Sequence, residues 1–173
     1  MYEIVKAYIQ PIPAARFIGL KYGEEDRANG GFGHKWGEWF QNNLFQPLEE
    51  LAKEEFSKAY EEAGAYIGLM RWKEGEPFQY WIGMFAAEGT KAPEGYDYVD
   101  MPAGKLGVCW LHGPEGELYG KEDKCAGRLV QDGHEILQDE EGAWWFFERY
   151  SCPRFTTPDE EGKVILDICH YVR

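Results

Sequence analysis

Residues Ala143–Tyr150 read AWWFFERY, five aromatic rings around a single carboxylate. As a strand, the segment sends alternate side chains to opposite faces, so Trp144, Phe146, Glu148 and Tyr150 point one way and Trp145, Phe147 and Arg149 the other. An unpaired charge is costly to bury. Glu148 on an aromatic wall therefore marks a site that waits for a partner, an ion pair made across the sheet with a Lys or Arg, or an edge strand that turns the acid to solvent. KVILDICHY follows after a longer loop and supplies the neighbouring strand.

The remaining segments fit around this pair. Residues 2–9 and 15–22 are strand material separated by Pro11 and Pro13, and GEEDRANGGFG has the composition of a loop. From His34 the period changes: Trp36, Phe40, Leu44, Leu48 and Leu51 recur every three or four residues, which predicts an amphipathic helix to about Phe56, kinked or divided at Pro47. AYIGLMRW and FQYWIGMFA form two strands joined by KEGEP. In the second half, YDYVDMPAGKLGVCWLHG reads strand, turn, strand, and a helix is predicted around 116–132.

Each half, about 1–90 and 91–173, thus reads strand, helix, strand, strand, with an extended segment before the helix. The repeat is one of topology rather than of letters. The expected architecture is a single α+β domain over 1–173, in which duplicated strand-helix-strand-strand units form an antiparallel sheet with helices on one face and a ligand cleft between the halves.

Composition narrows the partners. With 31 acidic against 18 basic residues the net charge is -13, which disfavours direct binding to a phosphate backbone. Aromatic residues make up 16% of the chain, high for a globular protein, so flat hydrophobic or cationic small molecules are the expected ligands. Cys109, Cys125, Cys152 and Cys169 form no CxxC pair and are expected as free thiols in a reducing compartment. The four histidines show no ligand spacing, so no metal is expected, and no cofactor. The opening MYEIVKAYIQPIP lacks the features of a signal peptide and no stretch has the length of a membrane span, which places the chain in the cytoplasm without a membrane partner. GGFGHK lacks the Gly-Lys-Ser/Thr ending of a phosphate loop. A protein partner and an oligomeric state have no signature.

PAARFIGLKYG, FQYWIGMFA, APEGYDYVDMPAGKLGVCW and WWFFERY together resemble the GyrI-like small-molecule-binding domains, which also serve as effector-binding domains of AraC-type and multidrug-sensing regulators. The resemblance runs over nearly the whole chain, and GGFGHKWGEWF looks like a stand-alone subgroup. It implies a duplicated fold with a ligand cleft between the halves and a central acidic residue that meets cationic or polar aromatic ligands; Glu148 matches that residue. The leading expectation is a drug- or xenobiotic-binding protein that protects by sequestration or breakdown. Some stand-alone members hydrolyse cyclopropane-bearing DNA-alkylating natural products, which makes a cofactor-independent hydrolase the first alternative. An acidic protein that inhibits a nucleic-acid enzyme is the second.

Ring faces attract cations, and a partly desolvated carboxylate adds a less screened attraction. Desolvation would also raise the pKa of Glu148 towards neutrality, as general acid-base work requires, with water or a nearby phenol easing the unliganded state. In the hydrolytic reading Glu148 orients or deprotonates a water and Tyr150 supports the carbonyl oxygen that gains charge. Candidate ligand-binding residues are Trp144, Phe146, Glu148, Tyr150, Trp110, Tyr66, Trp39 and Trp81. Trp36 fits the apolar stripe of its helix and is expected in the core. Which face of FQYWIGMFA lines the cleft is left open by alternation alone.

Overall fold

The computed structural model describes all residues, Met1–Arg173. Eight strands, β1 (Glu3–Ile12), β2 (Ala15–Tyr22), β3 (Tyr66–Trp72), β4 (Gln79–Ala87), β5 (Asp97–Met101), β6 (Gly104–Gly113), β7 (Trp144–Tyr150) and β8 (Val164–Val172), form one sheet. Its order is β1-β6-β8-β7-β3-β4-β2-β5, and every pair is antiparallel. The fold is α+β. AWWFFERY is the strand β7, central in the sheet and paired with β3 and β8. No helix is long and apolar enough to cross a membrane.

Connectivity forces the sheet to curl. Only residues 13–14 separate β1 from β2, and only 102–103 separate β5 from β6, although each pair lies far apart in the strand order. Three peptide steps reach about 10 Å, whereas the six strand spacings from β1 to β2 in a flat sheet would span about 29 Å. The sheet is therefore rolled at that end, which gives it a concave and a convex face. The concave face holds Phe17, Leu69, Trp81, Phe85, Leu106 and Phe147. The convex face carries Ile18, Met70, Tyr80, Ile82 and Met84 in one half and Cys109, Leu111, Leu166 and Ile168 in the other.

The predicted long helix is instead three short ones, α1 (Gly33–Gln41), α2 (Gln46–Glu49) and α3 (Glu54–Ala59). Asn43, in the left-handed region at φ 55°, ends the first. Pro47 lies in the first turn of α2, where its missing N–H costs no hydrogen bond, so it opens a helix rather than kinking one. Helices α1, α2 and α4 (Glu122–Gln131) cover the convex face through Trp39, Phe45, Leu48, Cys125 and Leu129. Helix α3 departs from the one-face expectation: Phe56 and Tyr60 enter the concave core beside Phe85. Gly107 lets α4 approach closely, since a Cβ there would stand 2.7 Å from Leu129.

Two arginines also lie on the concave face. Arg149, fully buried, donates to Asp167 at 2.8 Å, to Tyr60 at 2.9 Å and to Gln10 at 2.7 Å. Arg154 joins Asp167 at 2.8 Å and Glu62 at 3.0 Å, so two cations and two anions close a neutral network. This network ties α3 and the Glu62 loop to β7 and β8.

Candidate functional site

Alternation along β7 places Glu148 on the convex face, between the half of the sheet covered by α1 and the half covered by α4. Its register partners are Gly68 on β3 and Ile168 on β8. Gly68 is required for space: a Cβ there would stand 2.5 Å from the Tyr80 hydroxyl and 3.3 Å from the Glu148 carboxylate. Through that gap Tyr80 donates a hydrogen bond to Glu148 at 3.2 Å, and the Trp36 indole N–H donates to the Tyr80 oxygen at 2.9 Å. Phe32 stacks on Tyr80 with centroids 4.3 Å apart, and Trp36 sets its edge against Tyr150 at 4.9 Å. Tyr150 also meets Phe155 edge-on at 4.8 Å.

The electrostatics follow from this enclosure. Glu148 is 5% exposed and has no basic partner. Burial, reinforced by repulsion from Glu122 at the start of α4, pushes its pKa up to about 8, against the opposing pull of hydrogen bonds from Tyr150 and Tyr80. Near neutral pH the carboxyl is therefore largely protonated. Tyr80 and Tyr150 are held well above the usual phenol range, first by burial and then by the Glu148 charge. Two neutral phenols and a protonatable carboxyl thus lie together among packed rings. Ring faces beside an ionisable carboxyl are the groups that attract a hydrophobic cation, and the carboxyl can also exchange a proton.

Five of the eight candidate residues share the Glu148 face, including Glu148 itself. Tyr150 is in the site. Phe146, two residues along, stacks on His170 at 5.5 Å, and Trp144 lies four residues away, about 13 Å along the strand. Tyr66 is the register partner of Tyr150 and stacks on Phe45 at 3.7 Å, while its hydroxyl donates to Glu49 at 3.3 Å. The other three lie elsewhere. Trp39 is wholly buried between α1 and the sheet and donates to Tyr22 at 2.9 Å, so it is a core residue. Trp81 and Trp110 project from the concave face, Trp81 beside Phe17 and Trp110 between the side chains of Lys6 and Arg154.

Trp36 and Tyr80 take the places next to the carboxyl. Tyr80 shares a strand face with Ile82 and Met84, and the register β3–β4 would have identified it; no local pattern distinguishes Trp36 from a core tryptophan. The concave-face arginine on the same strand, Arg149, points away from Glu148, which removes the cross-sheet ion pair as an explanation of that residue.

No family model and no curated protein sequence matches the chain. Solved structures do match it in fold. A bacterial transcription regulation protein of Staphylococcus aureus MU50 is 16% identical with a TM-score of 0.64, covering 97% of this chain and 98% of that one. The protein SAV2435, solved bound to tetraphenylphosphonium, is 16% identical with a TM-score of 0.68, covering 98% and 94%. EcmrR, solved in a complex with DNA, is 13% identical with a TM-score of 0.52, covering 99% of this chain and 57% of that one. At these identities the likeness establishes the architecture.

Proposed function

We propose that this chain is a GyrI-like ligand-binding domain that takes a hydrophobic, aromatic cation in among the rings around Glu148. The observation that carries the reading is an acidic side chain, 5% exposed, ringed by Tyr80, Tyr150 and Trp36 and lacking any basic partner. A carboxyl so placed costs stability whenever it ionises, and a bound cation is the partner that offsets the cost. The cation bound to SAV2435 supports the ligand class.

The strand order supports the duplicated reading of the chain. Exchanging β1–β4 for β5–β8 turns β1-β6-β8-β7-β3-β4-β2-β5 into its own reverse. Glu148 then lies where the halves meet, at the β3–β7 pair. Since the carboxyl is covered in the unliganded fold, a ligand enters by parting the rings of α1 from β7. The biological use would be protection, by holding a toxic compound or destroying it.

Titration with tetraphenylphosphonium tests the binding reading. Binding to the wild type at pH 7 should release close to one proton, because the cation draws Glu148 from its protonated to its ionised form. Glu148→Gln should weaken binding by about tenfold or more and abolish the proton release. Equal affinity and equal proton release in the two proteins would reject the site.

A second reading, hydrolysis of a strained electrophilic ring, is favoured by one feature: the carboxyl lies next to two phenols and has a pKa near the working pH, as an acid-base group should. Incubation with a cyclopropane-bearing alkylator decides it. A mass gain of one water that disappears in Glu148→Gln supports catalysis, and recovery of the unchanged compound leaves binding alone.

A further inference from the structure

An open groove lies on the opposite side of the sheet from Glu148. It measures about 620 Å³ and is lined by residues of β2, β3, β4, β5 and β7, at the far end from the two short links that roll the sheet. Cross-strand register explains its floor. Trp145 on β7, Arg71 on β3 and Gln79 on β4 form one row, and Trp81 and Lys21 stand side by side in the next. Two indoles and two cations therefore share one groove with three carboxylates, Glu76, Asp97 and Glu141.

The polar groups there are only partly used. The Arg71 side chain is 8% exposed, yet it makes a single hydrogen bond, 3.1 Å to Glu76, and a looser 3.8 Å approach to Glu141. Both acids are on exposed turns, Glu141 with 75% of its side chain in solvent, so either can swing into water when a better acceptor arrives. Lys21 is exposed, forms no ion pair and stands 6.0 Å over the Trp81 ring. Gln79 accepts the Trp81 indole N–H at 3.1 Å, and Asp139 holds the Trp145 indole at 2.8 Å, so both rings are fixed in place. The Arg71 guanidinium lies 5.9 Å from the centre of the Trp145 ring.

We propose that this groove is a second ligand site, specific for a flat aromatic carboxylate. The ring packs against Trp81 and Trp145, and the carboxylate takes the spare donors of Arg71 in a forked pair with Lys21 alongside. The charge preference is opposite to that of the Glu148 site, and a full sheet separates the two. The inference does not depend on the proposed function of Glu148.

Calorimetric titration of the full chain with 2-naphthoate at low salt is the test, with the indole N–H resonances of Trp81 and Trp145 followed by NMR. One equivalent should bind, shifting both resonances, while the uncharged 2-naphthamide binds about tenfold more weakly or worse. Arg71→Gln should weaken 2-naphthoate by a similar factor. Lys21→Ala and Trp145→Leu, on more exposed positions, should each weaken it several-fold and cover the case in which Arg71→Gln does not fold. Glu148→Gln should leave it unchanged. Absence of binding by the wild type overturns the proposal, as does binding that is insensitive to Lys21 and Trp145 or lost in Glu148→Gln. Tetraphenylphosphonium titrated in parallel reports separately on the Glu148 site, so either site can fail without the other.

Discussion

Glu148 carries the clearest single-residue consequence. Its pKa is about 8 in the folded chain, above the ordinary carboxylate value, so between about 4.5 and 8 the folded state holds a proton that the unfolded state has lost. Stability must then fall as pH rises through that window and level off above it. Glu148→Gln removes the cost of ionisation without removing the acceptor of the Tyr80 hydrogen bond. Thermal unfolding should show the variant matching the wild type at pH 4 and melting roughly 5 °C or more above it at pH 9. A constant difference across pH would mean that burial does not perturb the carboxyl. Gly68 is the complementary case: Gly68→Ala would press a methyl into the Tyr80 hydroxyl, and the expected result is destabilisation by about 1–3 kcal/mol together with a weaker cationic ligand. An alanine variant with unchanged melting and binding would refute the steric account.

Among the elements, α3 is the one whose place no periodicity announces. Its six residues are too few to show an apolar stripe, and what holds it is the Tyr60 hydroxyl on Arg149 and the pairing of Arg154 with Glu62 just beyond its end. Breaking a buried charge network by removing one partner is costly because the others are left uncompensated. Asp167→Ala should therefore destabilise the domain by about 3–5 kcal/mol, measured by urea unfolding, and the loss should exceed that of Asp100→Ala, whose partner Arg16 lies in an exposed pair. Equal losses would show that the network contributes no more than a surface pair. The strands, by contrast, were legible: alternation assigns the two faces of Trp144–Tyr150, and the short unbroken apolar run of β4 fits a strand buried on both faces. The helix over 34–56 was legible as apolar and amphipathic but not as three pieces, because its breaks depend on a left-handed Asn43 and on Pro47 starting a turn.

Over the whole molecule, the charge of -13 and the rolled sheet act at a range no single residue sets. Excess negative charge draws cations towards the surface, an effect that salt screens within about 10 Å at 0.1 M. Stopped-flow association of tetraphenylphosphonium should slow several-fold between 20 and 200 mM salt, with dissociation nearly constant, since the buried contacts at Glu148 are screened far less. A salt effect confined to dissociation would place the electrostatics inside the site instead.

By itself the sequence determined the α+β class, the strand character of all the main extended segments and the shared face of Trp144, Phe146, Glu148 and Tyr150, because alternation depends only on neighbouring residues. It also singled out Glu148, since a lone acid among five rings is anomalous wherever the strand lies. Only the tertiary structure decided which rings meet it. Trp36 reaches the site from α1 and Tyr80 from β4, while Trp39, Trp81 and Trp110 are turned elsewhere. The reason is register and curl: cross-strand register brings Tyr80 past Gly68 to Glu148, two-residue links roll the sheet, and both involve residues too far apart in the chain for any local pattern to encode.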